Sequence, residues 1–326
     1  MQRRSLLASL AAGLPGLVLR VGTVRAQPGT WPDRPLRLIV PFPPGGAIDA
    51  MTRLLAPRLS DALGQPVVVE NRAGAGGTIG TAAAAQSTDG HTLLMVSIAH
   101  AVNPALYPKL PYDSSADFLP VAPVAVVPNL LVVPAARPWR SVADLTEAAR
   151  RQPGTLTYGS AGSGTSIHLA GALFCALAGI EMTHVPYRGS GPAVADLVSG
   201  RLDAMFDSVT SSAPHIASGR LRALAVTTGH RSTAYPDLPT VAEAGLPDYV
   251  VDPWFVMLAP RSLPAAARER VGQIVGQAMR DALIRERFAS IGAEPMTGDA
   301  ALLGQLIAGE TVKWGDLIRR LGILPD

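Results

Sequence analysis

The chain has 326 residues, which is long enough for two domains that each have a hydrophobic core. Hydrophobic residues make up 48%, charged residues only 16%, and the mean hydropathy is +0.25, values typical of an α/β protein whose strands are buried on both faces. The sequence pI is 9.3, but the excess positive charge is concentrated at the amino terminus. No basic stripe with interleaved aromatic residues follows, which argues against a nucleic-acid-binding protein.

Residues 1–26 have the pattern of an export signal. A basic start precedes an apolar run from Leu6 to Leu19, too short to span a bilayer, and Val24-Arg25-Ala26 resembles a cleavage site. The pair Arg3-Arg4 favours a twin-arginine signal, with an ordinary secretion signal and an uncleaved helix as the alternatives. Removal near Ala26 takes away four arginines and no acid, which changes the net charge from +3 to −1. We therefore expect a periplasmic protein.

Two glycine-rich turns stand out in the rest of the chain. In the first, the apolar run Leu36–Val40 leads through Gly45-Gly46 into a helical pattern. In the second, Leu156–Tyr158 leads through Gly159–Gly164 into another. A strand that turns through glycine into a helix leaves unpaired N–H groups at the positive end of the helix dipole, which forms an anion site. Two such turns predict a cleft that holds an anionic small molecule from both sides.

The predicted elements of the first half alternate between strand and helix. They are the strand Leu36–Val40, a helix from Ala47 to about Leu63, the strand Val67–Val69, the helix Ile79–Gln86 and the strand His91–Val96. This order predicts a parallel sheet. Pro57 lies inside the first helix and is expected to kink or interrupt it. The proline-punctuated stretch Leu119–Val133 is expected to form strands that include a crossing between domains.

The same alternation restarts after this stretch and ends in a helical tail. The predicted elements are the helix Val142–Arg150, the strand Leu156–Tyr158, the helix Ser166–Ala178, the strand Met182–Val185, the helix Ala193–Ser199, the strands Leu202–Phe206 and Leu221–Val226, a short helix at Thr240–Glu243, the strand Val256–Ala259, and the helices Ala265–Ser290 and Ala300–Leu321. Two similar α/β units followed by helices predict two domains linked by more than one crossing.

Enzyme and cofactor motifs are absent from the sequence. No serine has the G-x-S-x-G spacing, no glycine-lysine-serine/threonine triplet occurs, and the dinucleotide pattern that begins at Gly74 fails at Ile79. The six histidines form no pair at metal-ligand spacing, and the single Cys175 excludes an internal disulfide. We therefore expect no enzyme, no cofactor and no metal site.

Several polar residues near the two turns have two possible roles. The second turn carries four hydroxyls, at Ser160, Ser163, Thr165 and Ser166. These side chains either cap the following helix or hold a carboxylate or a bridging water. Asp49 either sits in the first helical turn, where an acid favours the dipole, or faces the cleft. Ser97 and His100 follow the third strand and either line the rim or close the turn.

These residues belong to segments that resemble the tripartite tricarboxylate transporter substrate-binding family, often called Bug receptors. The segments include Pro41–Asp49, Val68–Gly77, Asp89–Leu94, His100–Pro104, Tyr158–Thr165, Val185–Gly189, Leu224–Thr227 and Pro239–Gly245. The resemblance runs in order from about Trp31 to Ile323.

The resemblance implies a type II periplasmic-binding-protein fold, an α/β architecture of two doubly wound domains joined by a crossing-strand hinge, with a helical C-terminal tail. Domain I would comprise residues 31–125 plus 255–326, and domain II residues 126–254. With Ser97 and His100 from the rim, the candidate ligand-binding residues are Phe42, Gly45, Gly46, Ala47, Ile48, Asp49, Ser97, His100, Ser160, Gly162, Ser163, Thr165, Ser166, Tyr187 and Asp207. Ile48 replaces a hydroxyl that is frequent in relatives, which favours a less polar ligand.

The implied function is that of an extracytoplasmic solute receptor. It would bind a mono-, di- or tricarboxylate between the domains, for uptake or sensing, as a monomer that docks on a membrane permease or sensor. The first alternative is an exported enzyme that acts on a carboxylated substrate, with Asp49 and His100 as acid and base. The second is a ligand-sensing domain without a role in transport.

Overall fold

The structure is a computed structural model that describes residues 31–325. The predicted export signal lies outside the described residues. The strands are β1 (Leu36–Val40), β2 (Val67–Asn71), β3 (Thr92–Ser97), β4 (Phe118–Val126), β5 (Asn129–Pro134), β6 (Thr157–Ser160), β7 (Thr183–Pro186), β8 (Ala204–Ser208), β9 (Leu221–Val226), β10 (Trp254–Pro260) and β11 (Glu294–Pro295). The α-helices are α1 (Ala47–Leu63), α2 (Thr78–Ala85), α3 (Ala99–Leu106), α4 (Val142–Arg151), α5 (Ser166–Ala178), α6 (Ser190–Val198), α7 (Val209–Ala217), α8 (Ala265–Ala278), α9 (Ala282–Ser290) and α10 (Ala300–Leu321).

The strands form two mixed sheets with matching arrangements. The first sheet has the order β11-β4-β10-β3-β1-β2, in which β1 pairs in parallel with β2 and β3 while β10 runs antiparallel to β3 and β4. The second has the order β7-β6-β8-β5-β9, in which β6 pairs in parallel with β7 and β8 while β5 runs antiparallel to β8 and β9. We call the two α/β layers built on these sheets the first lobe and the second lobe.

The chain crosses between the lobes after β4 and again before β10. The two crossings lie side by side, because the Val127 N–H donates to the Pro253 carbonyl at 3.0 Å. The following Pro128 carbonyl accepts from the Val209 N–H, also at 3.0 Å, which ties the first crossing to the start of α7. The strand that follows each crossing, β5 in the second lobe and β10 in the first, pairs antiparallel with its neighbours. This arrangement is expected for a crossing-strand hinge.

Burial explains why these segments form these elements. Every residue of β3, β5 and β10 is buried, as expected for central strands covered by helices on both faces. Helix α1 buries Met51, Leu55 and Leu59, which are spaced four residues apart and form one apolar stripe. Helix α10, predicted with the same bounds, packs on α3 and β4. No helix within residues 31–325 combines the length and apolarity that crossing a bilayer requires.

Some elements differ from the sequence prediction. Helix α1 runs through Pro57 without a break, and the predicted helix Ala265–Ser290 is divided into α8 and α9. At Thr240 the capping box forms, with the Glu243 N–H donating to Thr240 Oγ1 at 3.0 Å, but the segment makes only a turn. Helices α3 and α7 were not predicted, and α6 begins at Ser190 rather than Ala193.

Candidate functional site

A cavity of about 130 Å³ lies between the two lobes, where strands end and helices begin. This volume has room for several waters or a small organic molecule. We call it the cleft cavity. Its lining residues are Phe42, Pro43, Pro44, Gly46, Ala47, Ile48, Ser97, Asn129, Ala161, Thr165, Ser166, Ile167, Arg188, Gly189, Ser190, Gly191, Pro192, Ser208 and Phe255. The first lobe supplies the loop after β1, and the second lobe supplies the starts of α5, α6 and α7.

The first glycine-rich turn presents the start of α1 to the cavity. Gly46 is the N-cap residue in an extended conformation, and no side chain caps the helix. Gly45, with φ +91°, donates its N–H to Asp49 Oδ2 at 3.0 Å. Glycine is favoured here because other residues rarely adopt that φ. The first N–H groups of α1 are thus left for a ligand.

Asp49 holds this turn from behind and does not line the cavity. Its carboxylate accepts from Arg53 Nε at 3.0 Å and from Asn71 Nδ2 at 2.9 Å, and Asn71 also donates to the Phe42 carbonyl. Burial alone would raise the pKa of Asp49, but the hydrogen bonds from Arg53, Asn71 and the Gly45 N–H lower it below its usual value. Of the two roles considered, the structure supports that of an acid in the first helical turn.

The second glycine-rich turn presents the start of α5. Thr165 is the N-cap residue: its Oγ1 accepts from the His168 N–H and donates to the Gly162 carbonyl at 2.7 Å. Thr165 is therefore mainly a cap that also lines the cavity. Ser166 lines the cavity and accepts from Asn129 Nδ2 at 3.3 Å. That bond joins the turn to the first residue of β5.

Two further helices of the second lobe begin at the cavity. Gly189, with φ +114°, is the N-cap residue of α6, and Ser208 is that of α7. Gly189 has no side chain, and the Ser208 side chain caps no backbone N–H of α7. Four helix amino termini, those of α1, α5, α6 and α7, thus converge on one cavity.

The charges of the cavity favour an anion. Among the described residues that line it, Arg188 is charged and none is Asp or Glu. The Arg188 side chain is exposed and forms no ion pair within residues 31–325. The positive ends of four helix dipoles add to this charge, and N–H groups at helix starts are good donors to carboxylates.

Apolar side chains form the remaining walls. Phe42 and Ile48 come from the first turn, Phe255 from β10 and Ile167 from α5. This combination suits a ligand with an anionic end and a hydrocarbon body.

A wider cavity of about 710 Å³ adjoins the cleft cavity and shares Phe42, Pro43 and Arg188 with it. Gly162 and Tyr187 line this outer cavity. The Tyr187 hydroxyl donates to Asp196 Oδ2 at 2.8 Å, and burial and the nearby Asp196 carboxylate raise the pKa of Tyr187. The candidate residues Gly162 and Tyr187 therefore line the outer cavity and not the cleft cavity.

The predicted residues therefore fall into distinct groups. Those that line the cleft cavity are Phe42, Gly46, Ala47, Ile48, Ser97, Thr165 and Ser166. Gly45 and Asp49 shape the first turn from behind. Ser160, whose Oγ is 2.7 Å from His184 Nε2, accepts from the Gly162 N–H and is fully buried behind the second turn. Ser163 is buried too, with its carbonyl oxygen directed at Gly76 of the first lobe.

His100 and Asp207 do not line the cleft cavity either. His100 lies in α3, its Nε2 is 3.1 Å from the Ser114 carbonyl, and its ring meets Phe118 edge-on. Burial lowers the pKa of His100 to about 4, so the ring is neutral. Asp207 is fully buried in β8 behind the starts of α6 and α7. Both residues are therefore buried inside their lobes and do not line the cleft cavity.

Several lining residues were missed in the sequence. The run Arg188–Pro192 follows β7 and opens α6, so it has the same strand-turn-helix pattern as the two predicted turns. That pattern could have identified it. Asn129, Ser208 and Phe255 lie on crossing or unpredicted elements, and no local pattern marks them. No group of three or more His, Cys, Asp or Glu within residues 31–325 is arranged to hold a metal ion.

Comparisons with known proteins agree with this architecture. The solved structure of R. palustris Rpa4515 with adipate is 38% identical, covers 91% of this chain and 100% of that chain, and has a TM-score of 0.87. The structure of the periplasmic binding protein BugD is 31% identical, covers 91% of this chain and 100% of that chain, and has a TM-score of 0.85. MatC (Rpa3494) from Rhodopseudomonas palustris with bound malate is 32% identical with a TM-score of 0.83, at 88% and 100% coverage. The predicted periplasmic-binding-protein fold with two α/β domains is confirmed.

The sequence itself gives the same assignment. Residues 51–323 match the tripartite tricarboxylate transporter family receptor. The match spans most of the chain and confirms the resemblance found in the sequence motifs. The chain therefore belongs to the tripartite tricarboxylate transporter receptor family, a family of solute-binding receptors.

Proposed function

We propose that the protein is an extracytoplasmic solute receptor that binds a small organic carboxylate in the cleft cavity and performs no chemistry on it. One observation carries the proposal: four helix amino termini and Arg188 face a cavity whose described lining has no acidic side chain. Backbone N–H groups neutralise a carboxylate there without the desolvation cost of a fully buried cation.

The apolar walls narrow the class of carboxylate. A hydrocarbon chain fits against Phe42, Phe255 and Ile48, whereas a second polar group near the first carboxylate would meet apolar surface at Ile48. Among related proteins, Rpa4515 has been solved with adipate and MatC with malate. Because Ile48 disfavours a hydroxyl near the helix ends, we propose a dicarboxylate with an unsubstituted chain, such as adipate, over a hydroxylated one such as malate.

Binding would be coupled to closure of the lobes about the paired crossings at Val127 and Pro253. The proposed bodies are residues 31–125 plus 255–326 and residues 126–254. A ligand that favours the closed state by about 5.5 kcal/mol would shift the population from 1:99 to 99:1. The closed monomer would then dock on a membrane permease or sensor, after removal of an export signal near Ala26 places it in the periplasm.

The positions of the described residues favour the receptor over the enzyme alternative. Its proposed acid and base, Asp49 and His100, both lie outside the cleft cavity and are hydrogen-bonded to other residues of the protein. A ligand-sensing domain without transport would bind the same ligand and differ only in its partner. Capture of a permease by the ligand-loaded protein would separate the two.

The test is a binding panel measured by calorimetry and by chemical unfolding of the protein from residue 27 onward. Adipate, malate and a tricarboxylate are compared with adipamide, which has the adipate chain but no charge. At 100 times its dissociation constant, a specific ligand should raise the free energy of unfolding by about 2.7 kcal/mol. We expect this for adipate and no effect of adipamide. A protein that responds to no carboxylate, or equally to adipamide, would refute the proposal.

A further inference from the structure

Two histidine rings are stacked directly behind the second glycine-rich turn. The rings of His168, from α5, and His184, from β7, have an interplanar angle of 3°, and their centroids are 3.8 Å apart. The Tyr158 ring of β6 extends the stack, with its centroid 5.0 Å from that of His184. His168 and Tyr158 are buried, so packing fixes the orientation of these rings. We call the three rings the ring stack.

The ring stack holds the backbone of the turn at two points. The Gly164 N–H donates to His168 Nδ1 at 3.2 Å. The Gly162 N–H donates to Ser160 Oγ at 3.1 Å, and that oxygen lies 2.7 Å from His184 Nε2. One histidine therefore binds a backbone amide of the turn directly, and the other does so through a buried hydroxyl.

The direct bond fixes the state of the His168 ring. A backbone amide can only donate, so Nδ1 accepts with its lone pair and the neutral ring carries its hydrogen on Nε2. The arrangement is a reciprocal cap. Thr165 Oγ1 accepts from the His168 N–H, and the His168 ring accepts from the N–H of the residue before Thr165. One side chain thus orders both the turn and the start of α5.

The surroundings of the ring stack suit neutral rings. A cavity of about 380 Å³ lies beside the stack, and none of the described residues that line it is Asp, Glu, Lys or Arg. Besides the two histidines, the titratable groups of this lining are Tyr158 and Cys175. Burial raises the pKa of Tyr158, and it raises the pKa of Cys175 to about 12, so both are neutral near pH 7. This lining therefore supplies no charge that would stabilise an imidazolium.

The other side of the same turn faces the cleft cavity, which Thr165, Ser166 and Ile167 line. The first N–H groups of α5, those of Ser166 and Ile167, have no acceptor within the helix and remain for a ligand. The amides of Gly162 and Gly164 are instead bonded to the groups behind the turn. The turn is therefore held from one side and presents its donors on the other.

We propose that His168 and His184 are positioning residues: as neutral rings they anchor the second turn from behind and so keep the N–H groups at the start of α5 directed at the bound carboxylate. The inference rests on the proposed function, because it assigns supporting residues to the same site. Donors that are already oriented lose less freedom on binding, which increases affinity. Neither histidine lines the cleft cavity, so each acts through the turn.

The first experiment compares two substitutions of His168. His168→Leu removes the acceptor, whereas His168→Asn places an amide oxygen near the position of Nδ1 and can still accept from Gly164. Affinity for adipate is measured by calorimetry under conditions in which denaturant unfolding shows each protein to be fully folded. We expect a loss of about tenfold in His168→Leu, the worth of one hydrogen bond, and of less than about threefold in His168→Asn. Wild-type affinity in His168→Leu, or equal losses in the two variants, would overturn the inference.

The second experiment tests the anchor that passes through Ser160. His184→Leu removes the partner of the Ser160 hydroxyl and should weaken adipate binding, whereas His184→Gln places an amide near the position of Nε2 and should restore it. His215→Leu is the matched control, because it changes a half-buried histidine of the same lobe in the last turn of α7. It should bind like wild type. A loss in His215→Leu equal to that in His168→Leu would show a general effect of removing a histidine and would overturn the inference.

A third measurement uses the wild-type protein and does not depend on the folding of a variant. Nitrogen NMR detects an N–H···N hydrogen bond as a coupling between its two nitrogens. A coupling between the Gly164 amide and His168 Nδ1 in the adipate complex supports the inference, and a protonated Nδ1 in that complex overturns it. A wild-type protein that binds no carboxylate of the panel would refute the receptor function itself, whereas adipate binding that the substitutions leave unchanged would refute only the role of the histidines.

Discussion

Gly189 and Pro43 meet across the cleft, one from each lobe. A methyl group placed on Gly189 would lie 3.1 Å from Pro43 Cγ, closer than most real contacts of this kind. Because Gly189 is also the N-cap residue of α6, the start of that helix touches the opposite lobe. Gly76 makes a similar approach, since a Cβ there would lie 2.7 Å from the Ser163 carbonyl oxygen. The lobes are therefore in contact through glycines that line the outer cavity, one of which, Gly189, also lines the cleft cavity.

We predict that Gly189→Ala weakens ligand binding by more than its effect on stability explains. Its φ of +114° costs about 1–2 kcal/mol for a residue with a Cβ, and the methyl group would also hold the lobes apart at Pro43. Gly179→Ala is the matched control, because it has φ +61° and no atom within 4 Å of its Cβ position. Denaturant unfolding gives the stability of both variants, and calorimetry gives their affinity for adipate. Equal affinities in the two variants would contradict a role for this contact in closure.

The strands and the two glycine-rich turns could be predicted because their signals are local. Each apolar run such as Leu36–Val40 is short, buried and bounded by turn residues, so its position follows from the sequence alone. The start of α6 was instead predicted three residues late, at Ala193. Its first residues are Ser190, Gly191 and Pro192, which look like a loop, yet proline is tolerated in the first turn of a helix because its missing N–H is not needed there.

Other features depend on contacts between distant parts of the chain. The sequence left the role of Asp49 open, and the choice is made by Asn71, which comes from the end of β2. His100 was expected near the rim, but α3 turns its ring into the core against Phe118. Asp207 was expected to form a cleft wall, but strand pairing with β5 places it behind α6 and α7. Such positions depend on pairing and packing that the local pattern does not contain.

We predict that Arg188→Gln lowers adipate affinity by about tenfold at low ionic strength and by less in high salt, because the guanidinium is exposed and its attraction is screened. Arg285→Gln removes the same charge from α9 at an exposed position with no ion pair within residues 31–325, and should leave binding unchanged. Calorimetry at two salt concentrations is the measurement. Equal salt dependence in Arg188→Gln and wild type would show that Arg188 does not contact the ligand's charge.

We predict that Asp49→Asn destabilises the protein by about 1–2 kcal/mol at neutral pH, because it weakens the bonds to Arg53 and the Gly45 N–H. The pKa of Asp49 is lowered in the folded state, so its contribution is present above the unfolded value near 3.9 and is lost as the pH falls through the folded value. The difference in unfolding free energy between variant and wild type should therefore shrink in acid. Asp248→Asn, an exposed substitution, is the control, and a difference that persists unchanged at the lowest pH would contradict this account.

We predict that His100 makes the protein less stable in mild acid. The folded-state pKa of His100 is lowered to about 4 by burial, whereas the unfolded chain titrates near its usual value of 6.5. Between these values the unfolded state binds the proton and the folded state does not, so stability falls as the pH drops from 6.5 to about 4, by on the order of 3 kcal/mol. His100→Gln removes this titration while keeping a donor for the Ser114 carbonyl, and its unfolding free energy should depend less on pH across the window. Denaturant unfolding at a series of pH values measures the slopes. A His100→Gln slope equal to the wild-type slope would show that some other group is responsible for the loss in acid.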